Sequence, residues 1–190
     1  SFWIRPDMTR IISGSARGRT LKVPAAGTRP TSDRVRESIF NSLQHRLGTW
    51  HDLRVLDLFA GSGAFAFESL SRGAAHATAV DKAATAIDII KTNGTTLAMD
   101  VTAVKRDADA FTKHYAGQAF DVVFIDPPYE YASELVTALL GHLMDRGVVA
   151  QGSVIVVERS GRTEPFFVPE PLTEADHRSI GETSVHTLVW

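Results

Sequence analysis

The chain has 190 residues, 44% of them hydrophobic and 22% charged, with a net charge of -2. That is the profile of one soluble globular domain with a core of ordinary size. There is no cysteine, which excludes a disulfide framework, a thiolate nucleophile and a thiolate metal site, and no apolar run approaches the ~18 residues that cross a bilayer, so a cytoplasmic location with no membrane partner is expected.

Residues 1–7 precede Met8, lack the charge and apolar stretch of a signal peptide, and read as an appended cloning remnant. Residues 8–50 read as a basic extension. Residues 1–54 hold ten Lys/Arg against four Asp/Glu, and residues 55–190 hold ten against eighteen. A basic arm on an acidic body suits phosphate contact, and a solvated basic face explains the charge equally well. Two short β-like pieces, Arg10–Ser13 and Arg19–Val23, flank the turn segment Gly14-Ser15-Ala16-Arg17-Gly18. Pro30 excludes helix upstream, Thr31 or Ser32 can cap a helix, and Val35, Ile39, Leu43 and Leu47 form its buried stripe, ending near Gly48.

From residue 51 to 190 the pattern alternates strand and helix. Strands are expected at Arg54–Phe59, Ala77–Val80, Thr102–Lys105, Phe120–Ile125 and Ser153–Glu158, with helices near 64–72, 83–97, 108–116 and 131–146. Such alternation predicts a parallel sheet covered by helices on both faces. The tail, with Pro169, Pro171 and Gly181, reads as a β-hairpin closing one sheet edge.

The chemistry gathers at expected strand tips, where open α/β sheets bind ligands. Asp57-Leu58-Phe59-Ala60-Gly61-Ser62-Gly63, with Ala66, fits a glycine turn opening a helix, and an unliganded structural turn remains an alternative. Asp81, about twenty residues on, either accepts the hydroxyls of a ribose or caps a helix. Asp107 either receives an adenine amino group or caps the next helix. After the strand Phe120–Ile125 come Asp126-Pro127-Pro128-Tyr129. Two prolines give up two donors and stiffen the loop, leaving a carboxylate, bare carbonyls and a ring, an arrangement suited to a nucleobase amino group. The seven histidines show no ligand spacing with carboxylates, so no metal is expected.

These residues resemble the class I S-adenosylmethionine-dependent methyltransferases, specifically their amino-methylating branch. The chain is most similar to the bacterial 16S ribosomal RNA guanine-N2 methyltransferases of the guanine-966 type. The likeness rests on Arg29-Pro30-Thr31, Asp33-Arg34-Val35-Arg36-Glu37 and Phe40-Asn41, then the glycine turn, then Asp126-Pro127-Pro128-Tyr129, in that order. Asp81 departs from the Glu of many methyltransferases.

The resemblance implies a Rossmann-like, doubly wound seven-stranded sheet with its last strand antiparallel, carrying an N-terminal β-hairpin and helix. It implies S-adenosylmethionine held by Asp57, Phe59, Ala60, Gly61, Ser62, Gly63, Asp81, Lys82, Asp107, Ala108 and Asp126, and catalysis by Asp126, the Pro127 carbonyl and Tyr129. Arg10, Arg17, Arg19, Arg29, Arg34 and Arg36 are the candidates for RNA phosphates, although Arg36 can instead pair with Asp33 or Glu37. The implied partner is 16S ribosomal RNA, free or in the assembled small subunit, met by a monomer. Competing readings are an N6-adenine methyltransferase, a protein glutamine methyltransferase, a nicotinamide-binding dehydrogenase, and a protein that only chaperones ribosomal RNA.

Overall fold

The computed structural model describes residues 8–24 and 32–190; Arg29 and the reading of residues 1–7 therefore lie outside the described residues. Strands β1 (Met8–Arg10) and β2 (Thr20–Lys22) form a two-stranded antiparallel ribbon, and α1 (Asp33–Leu47) follows. The Ser32 side chain accepts the Val35 N–H, and Gly48 closes α1 at φ 75, where a glycine is suited to the left-handed turn.

The remaining chain alternates β3 (Arg54–Leu58), α2 (Ala64–Ser71), β4 (His76–Asp81), α3 (Ala84–Leu97), β5 (Thr102–Lys105), α4 (Ala108–Lys113), β6 (Phe120–Ile125), α5 (Ser133–Asp145) and β7 (Val149–Ser160), then closes with β8 (Thr173–Ile180) and β9 (Thr183–Val189). The sheet order is β5-β4-β3-β6-β7-β9-β8. The first five are parallel, and β9 runs antiparallel to both neighbours. This is the doubly wound α/β fold with an antiparallel last strand. Among the described residues no helix is long and apolar enough to cross a membrane.

Period-two side chains explain why both faces need helices. Val55, Val122, Phe124 and Val156 point into one apolar cluster with residues of α1, α2 and α3; Leu56, Val123, Ile125 and Val157 point into another with α4 and α5. Phe124 packs against the rings of Phe65 at 4.6 Å and Phe40 at 5.5 Å, which also meet each other at 6.1 Å. Burying a ring of this size contributes ~2–3 kcal/mol.

The basic extension shares that first core. Ile11, Ala16, Leu21, Val35, Ile39, Phe40 and Leu43 pack with sheet residues, and polar bonds lock the ribbon down. Glu68 on α2 is fully buried and accepts the Ile12 N–H at 2.8 Å, the Ser13 N–H at 3.1 Å and Arg72 Nε at 3.0 Å. Asn93 on α3 accepts the Lys22 N–H and donates to the carbonyls of Lys22 and Ser62.

The expected strands and helices recur within a few residues, with three differences. Strand β1 spans Met8–Arg10 and shares only Arg10 with the expected Arg10–Ser13, because the Ile12 and Ser13 N–H groups donate to Glu68 and not to a partner strand. Helix α4 stops at Lys113, three residues early, where the Tyr115 hydroxyl bonds the Gln118 carbonyl instead. Strand β7 begins at Val149, because Gly152 at φ 95 bends the strand at a register shift without ending it.

Candidate active site

The strand order places the site. The chain winds outward from β3 to β5 and then returns to β6, so β3 and β6 neighbour each other at the topological switch point. Leu58 pairs with Ile125, so Phe59 and Asp126 leave the sheet side by side.

The β3 tip turns sharply. Phe59 sits at φ 59, Gly61 at φ 56 and Gly63 at φ 80. A left-handed phenylalanine is strained, and such strain persists where surroundings hold it. Here the Ala60 N–H donates to the Val80 carbonyl, the Gly61 N–H to Asp81 Oδ2 at 2.9 Å, and the Gly63 N–H to the Ala60 carbonyl. The Phe59 ring meets Tyr131 edge-on at 5.0 Å. The two glycines differ in purpose. A Cβ on Gly63 would lie 2.9 Å from the Phe67 ring, whereas one on Gly61 would meet no atom within 4 Å. Packing demands the first, and the second faces open space.

Asp57 lies fully buried beneath this turn. Its Oδ2 accepts the Ala66 N–H at 3.2 Å, and its Oδ1 has no partner. Burial pushes the Asp57 carboxyl well above the ordinary carboxylate range; the Ala66 bond opposes this, and the charges of Asp126 and Asp81 add to the rise. Asp57 thus lies within reach of the negative charges of Asp126 and Asp81. S-adenosylmethionine carries a sulfonium and an ammonium, so an unpaired buried carboxylate oxygen and an open glycine turn are what it requires. The residues fit the implied group.

The other expected site residues fall as follows. Asp81 Oδ1 accepts the Ala83 N–H at 2.9 Å, so this carboxylate braces two turns as well as closing β4. Lys82 is exposed, Ser62 and Ala108 are buried, and Ser62 lends its carbonyl to Asn93. Asp107 Oδ1 caps α4 through the N–H groups of Asp109 and Ala110. At the β6 tip Pro127 is buried, and Tyr129 is 65% exposed.

The arginines divide. Arg17 and Arg34 are exposed. Arg10 lies 3.7 Å from Asp33, and Arg19 donates to the Thr96 carbonyl. Arg36 requires a correction as an RNA contact. It is 1% exposed and bonds Asp33 at 2.9 Å, the Arg10 carbonyl at 2.6 Å and Thr9 at 3.2 Å. The ion pair with Asp33 is what forms, because α1 turns that face onto the ribbon.

Sequence reading missed four groups: Glu68, Asn93, Tyr131 and Arg159. Asn93 interrupts the apolar stripe Ala86, Ile90, Leu97 of α3, and Arg159 closes the buried run of β7; a polar residue in an apolar pattern was the available signal. It also missed the meeting of Glu174, His177 and His186 on the last hairpin, whose ligand atoms lie within 4.8 Å of one another. The two imidazoles stack at 4.2 Å with 17° between their planes, so a single ion lies in both ring planes only after one ring turns.

Comparison with known proteins assigns the chain to a family. The family described as Conserved hypothetical protein 95 matches residues 9–189. The Ribosomal RNA small subunit methyltransferase D of Escherichia coli K12 is 40% identical over 151 residues, covering 78% of this chain and 73% of that protein. Its namesake in Haemophilus influenzae is 34% identical over 180 residues, covering 92% and 90%. The solved structure of yhhF from Escherichia coli superposes with a TM-score of 0.82 at 36% identity, over 96% of this chain and 97% of that one. By sequence and by fold, the chain belongs to the Conserved hypothetical protein 95 family, in the class I S-adenosylmethionine-dependent methyltransferase fold.

Proposed function

We propose that this protein methylates the exocyclic N2 amino group of a guanine in bacterial 16S ribosomal RNA, of the guanine-966 type, using S-adenosylmethionine. The names of its relatives support ribosomal RNA as the substrate class. One observation carries the amino-group chemistry: Asp126, the donor-free Pro127-Pro128 pair and the exposed ring of Tyr129 leave the β6 tip beside the glycine turn.

A guanine amino nitrogen is a poor nucleophile because its lone pair is delocalised into the ring. Asp126 accepts one of its N–H groups and the Pro127 carbonyl the other. Two acceptors so placed favour a pyramidal nitrogen with a localised lone pair. The cofactor supplies an electrophilic methyl on a positively charged sulfur, so the protein's task is positioning and electrostatic support. Tyr129 stacks on the base, which must leave its helix or come from a single-stranded loop. The proton released on methylation passes to Asp126 or to water.

On the cofactor side, Asp57 takes the cationic end, Gly61 admits the ligand to the helix N-terminus, and Asp81 offers its remaining lone pairs to ribose. Phe59, Ala60, Ser62 and Gly63 shape that turn, and Lys82, Asp107 and Ala108 border the adenine. Arg10, Arg17, Arg19 and Arg34 face RNA phosphates. The protein acts as a monomer in the cytoplasm.

The test offers labelled S-adenosylmethionine with unmodified small subunits, deproteinised ribosomal RNA and duplex DNA. Label in N2-methylguanine of ribosomal RNA is expected. Label in N6-methyladenine would replace this reading with the adenine one, and absence of label in every substrate would reject both.

A further inference from the structure

Two consecutive prolines create a problem that the acceptor loop does not solve by itself. Pro127 and Pro128 have no N–H to pin the loop to a neighbouring strand. Within the loop, the Tyr131 N–H donates to the Pro128 carbonyl at 3.0 Å, closing a turn. An outside donor must hold that turn to the sheet.

Arg159 is such a donor. Val157 pairs with Ile125, so Arg159 stands on β7 just beyond the level of Asp126. It is 5% exposed, a costly placement for a guanidinium unless it is paired. Its Nη2 donates to the Tyr131 carbonyl at 2.6 Å, while its buried Nε has no partner. Burial lowers the affinity of Arg159 for its proton, and neighbouring Asp126 first and Tyr131 second oppose that loss. Tyr131 also carries its ring against the strained Phe59 of the cofactor turn at 5.0 Å. One guanidinium therefore fixes the residue that joins the acceptor loop to the cofactor turn.

We propose that Arg159 is a positioning residue for methyl transfer: by holding the Tyr131 carbonyl it sets where Asp126 and the Pro127 carbonyl reach relative to the cofactor turn. The proposal rests on the reading of Asp126 as the ligand of the acceptor amine. Arginine suits the role because its planar fork donates in two directions from one charge. It acts on the loop that presents the base, so its loss affects the bound complex more than cofactor affinity.

The experiment measures kcat and KM for methyl transfer to unmodified small subunits, the cofactor Kd by calorimetry, and Tm, in the parent protein and in Arg159→Gln, Arg159→Lys and Asp126→Asn. Arg159→Gln is expected to lower kcat by ~10–100-fold while cofactor Kd stays within ~2-fold, since a misplacement of about 1 Å is enough for such a loss. Arg159→Lys, whose shorter side chain carries a single ammonium in place of the fork and holds the Tyr131 carbonyl less well, is expected to fall ~3–10-fold below the parent. A folded Arg159→Gln protein with parental kcat overturns the proposal, as does a loss confined to KM or to cofactor affinity. Should the Gln variant fail to fold, the Lys variant decides: reduced kcat at unchanged Tm supports the role, and parental kcat overturns it. Asp126→Asn separates the two ideas. If it retains full transfer, the reading of Asp126 falls and the proposal with it. If it abolishes transfer while Arg159→Gln does not lower kcat, only the role of Arg159 falls.

Discussion

The basic extension and the strand tips both bury charge, and they treat it in opposite ways. Where the ribbon meets α1 and α2, each buried charge is answered: Arg36 by Asp33, Thr9 and a carbonyl, Glu68 by two backbone N–H groups and Arg72. At the tips, Asp57 Oδ1 and Arg159 Nε are buried without partners, and Asp57 also feels the negative charges of Asp126 and Asp81. Answered burial holds a structure together, whereas unanswered burial at a strand tip is a reserve for a ligand.

The largest effect that can break this comparison is on the answered side. Glu68→Gln places an amide donor against backbone donors and removes the charge facing Arg72. We expect a loss of ~3–5 kcal/mol, read as a fall in Tm of roughly 10 °C together with faster proteolysis within residues 11–16. A Tm within 2 °C (roughly 0.5–1 kcal/mol) of the parent would show that the extension is not anchored by Glu68.

The two glycines of the turn sharpen the contrast at closer range. Gly63→Ala adds a Cβ 2.9 Å from the Phe67 ring at φ 80, and should cost ~1–3 kcal/mol of stability. Gly61→Ala meets nothing within 4 Å at φ 56, so it should cost only ~1 kcal/mol while weakening cofactor binding ~10-fold or more, by calorimetry. Equal cofactor affinity in Gly61→Ala and the parent would mean that the open space there is not where the cofactor lies.

The smallest effect concerns pH. Burial raises Asp57 above its unfolded value, so between the two values the native state binds more protons than the unfolded chain, and the contribution to stability falls as pH rises through that window. Asp57→Asn keeps an oxygen for the Ala66 N–H without a charge to bury. In the cofactor-free protein it should raise Tm by a few degrees at pH 8, with the gain shrinking toward pH 4. A gain that grows on acidification would contradict an ionised, unpaired Asp57.

Much of this arrangement was legible locally. The central strands announce themselves as apolar runs, the glycine turn and Asp126-Pro127-Pro128-Tyr129 as punctuation at their ends, and Ser32 as one of two candidate caps of α1. Asp107 as a cap was legible too, since capping spans only two or three residues. Arg36 was not, because whether an arginine of α1 faces solvent depends on which side of that helix the ribbon covers. Tyr131 and Arg159, 28 residues apart, meet only because β7 lies beside β6.

The sequence by itself determined the strand–helix alternation, a parallel sheet covered by helices, and the residues that close the central strands, because these follow from side-chain periodicity and turn chemistry over a few residues. The tertiary structure alone decided which polar groups are answered and which are left over. That depends on long-range neighbours, such as Glu68 with Ile12 or Asn93 with Lys22, whose contacts no local pattern encodes.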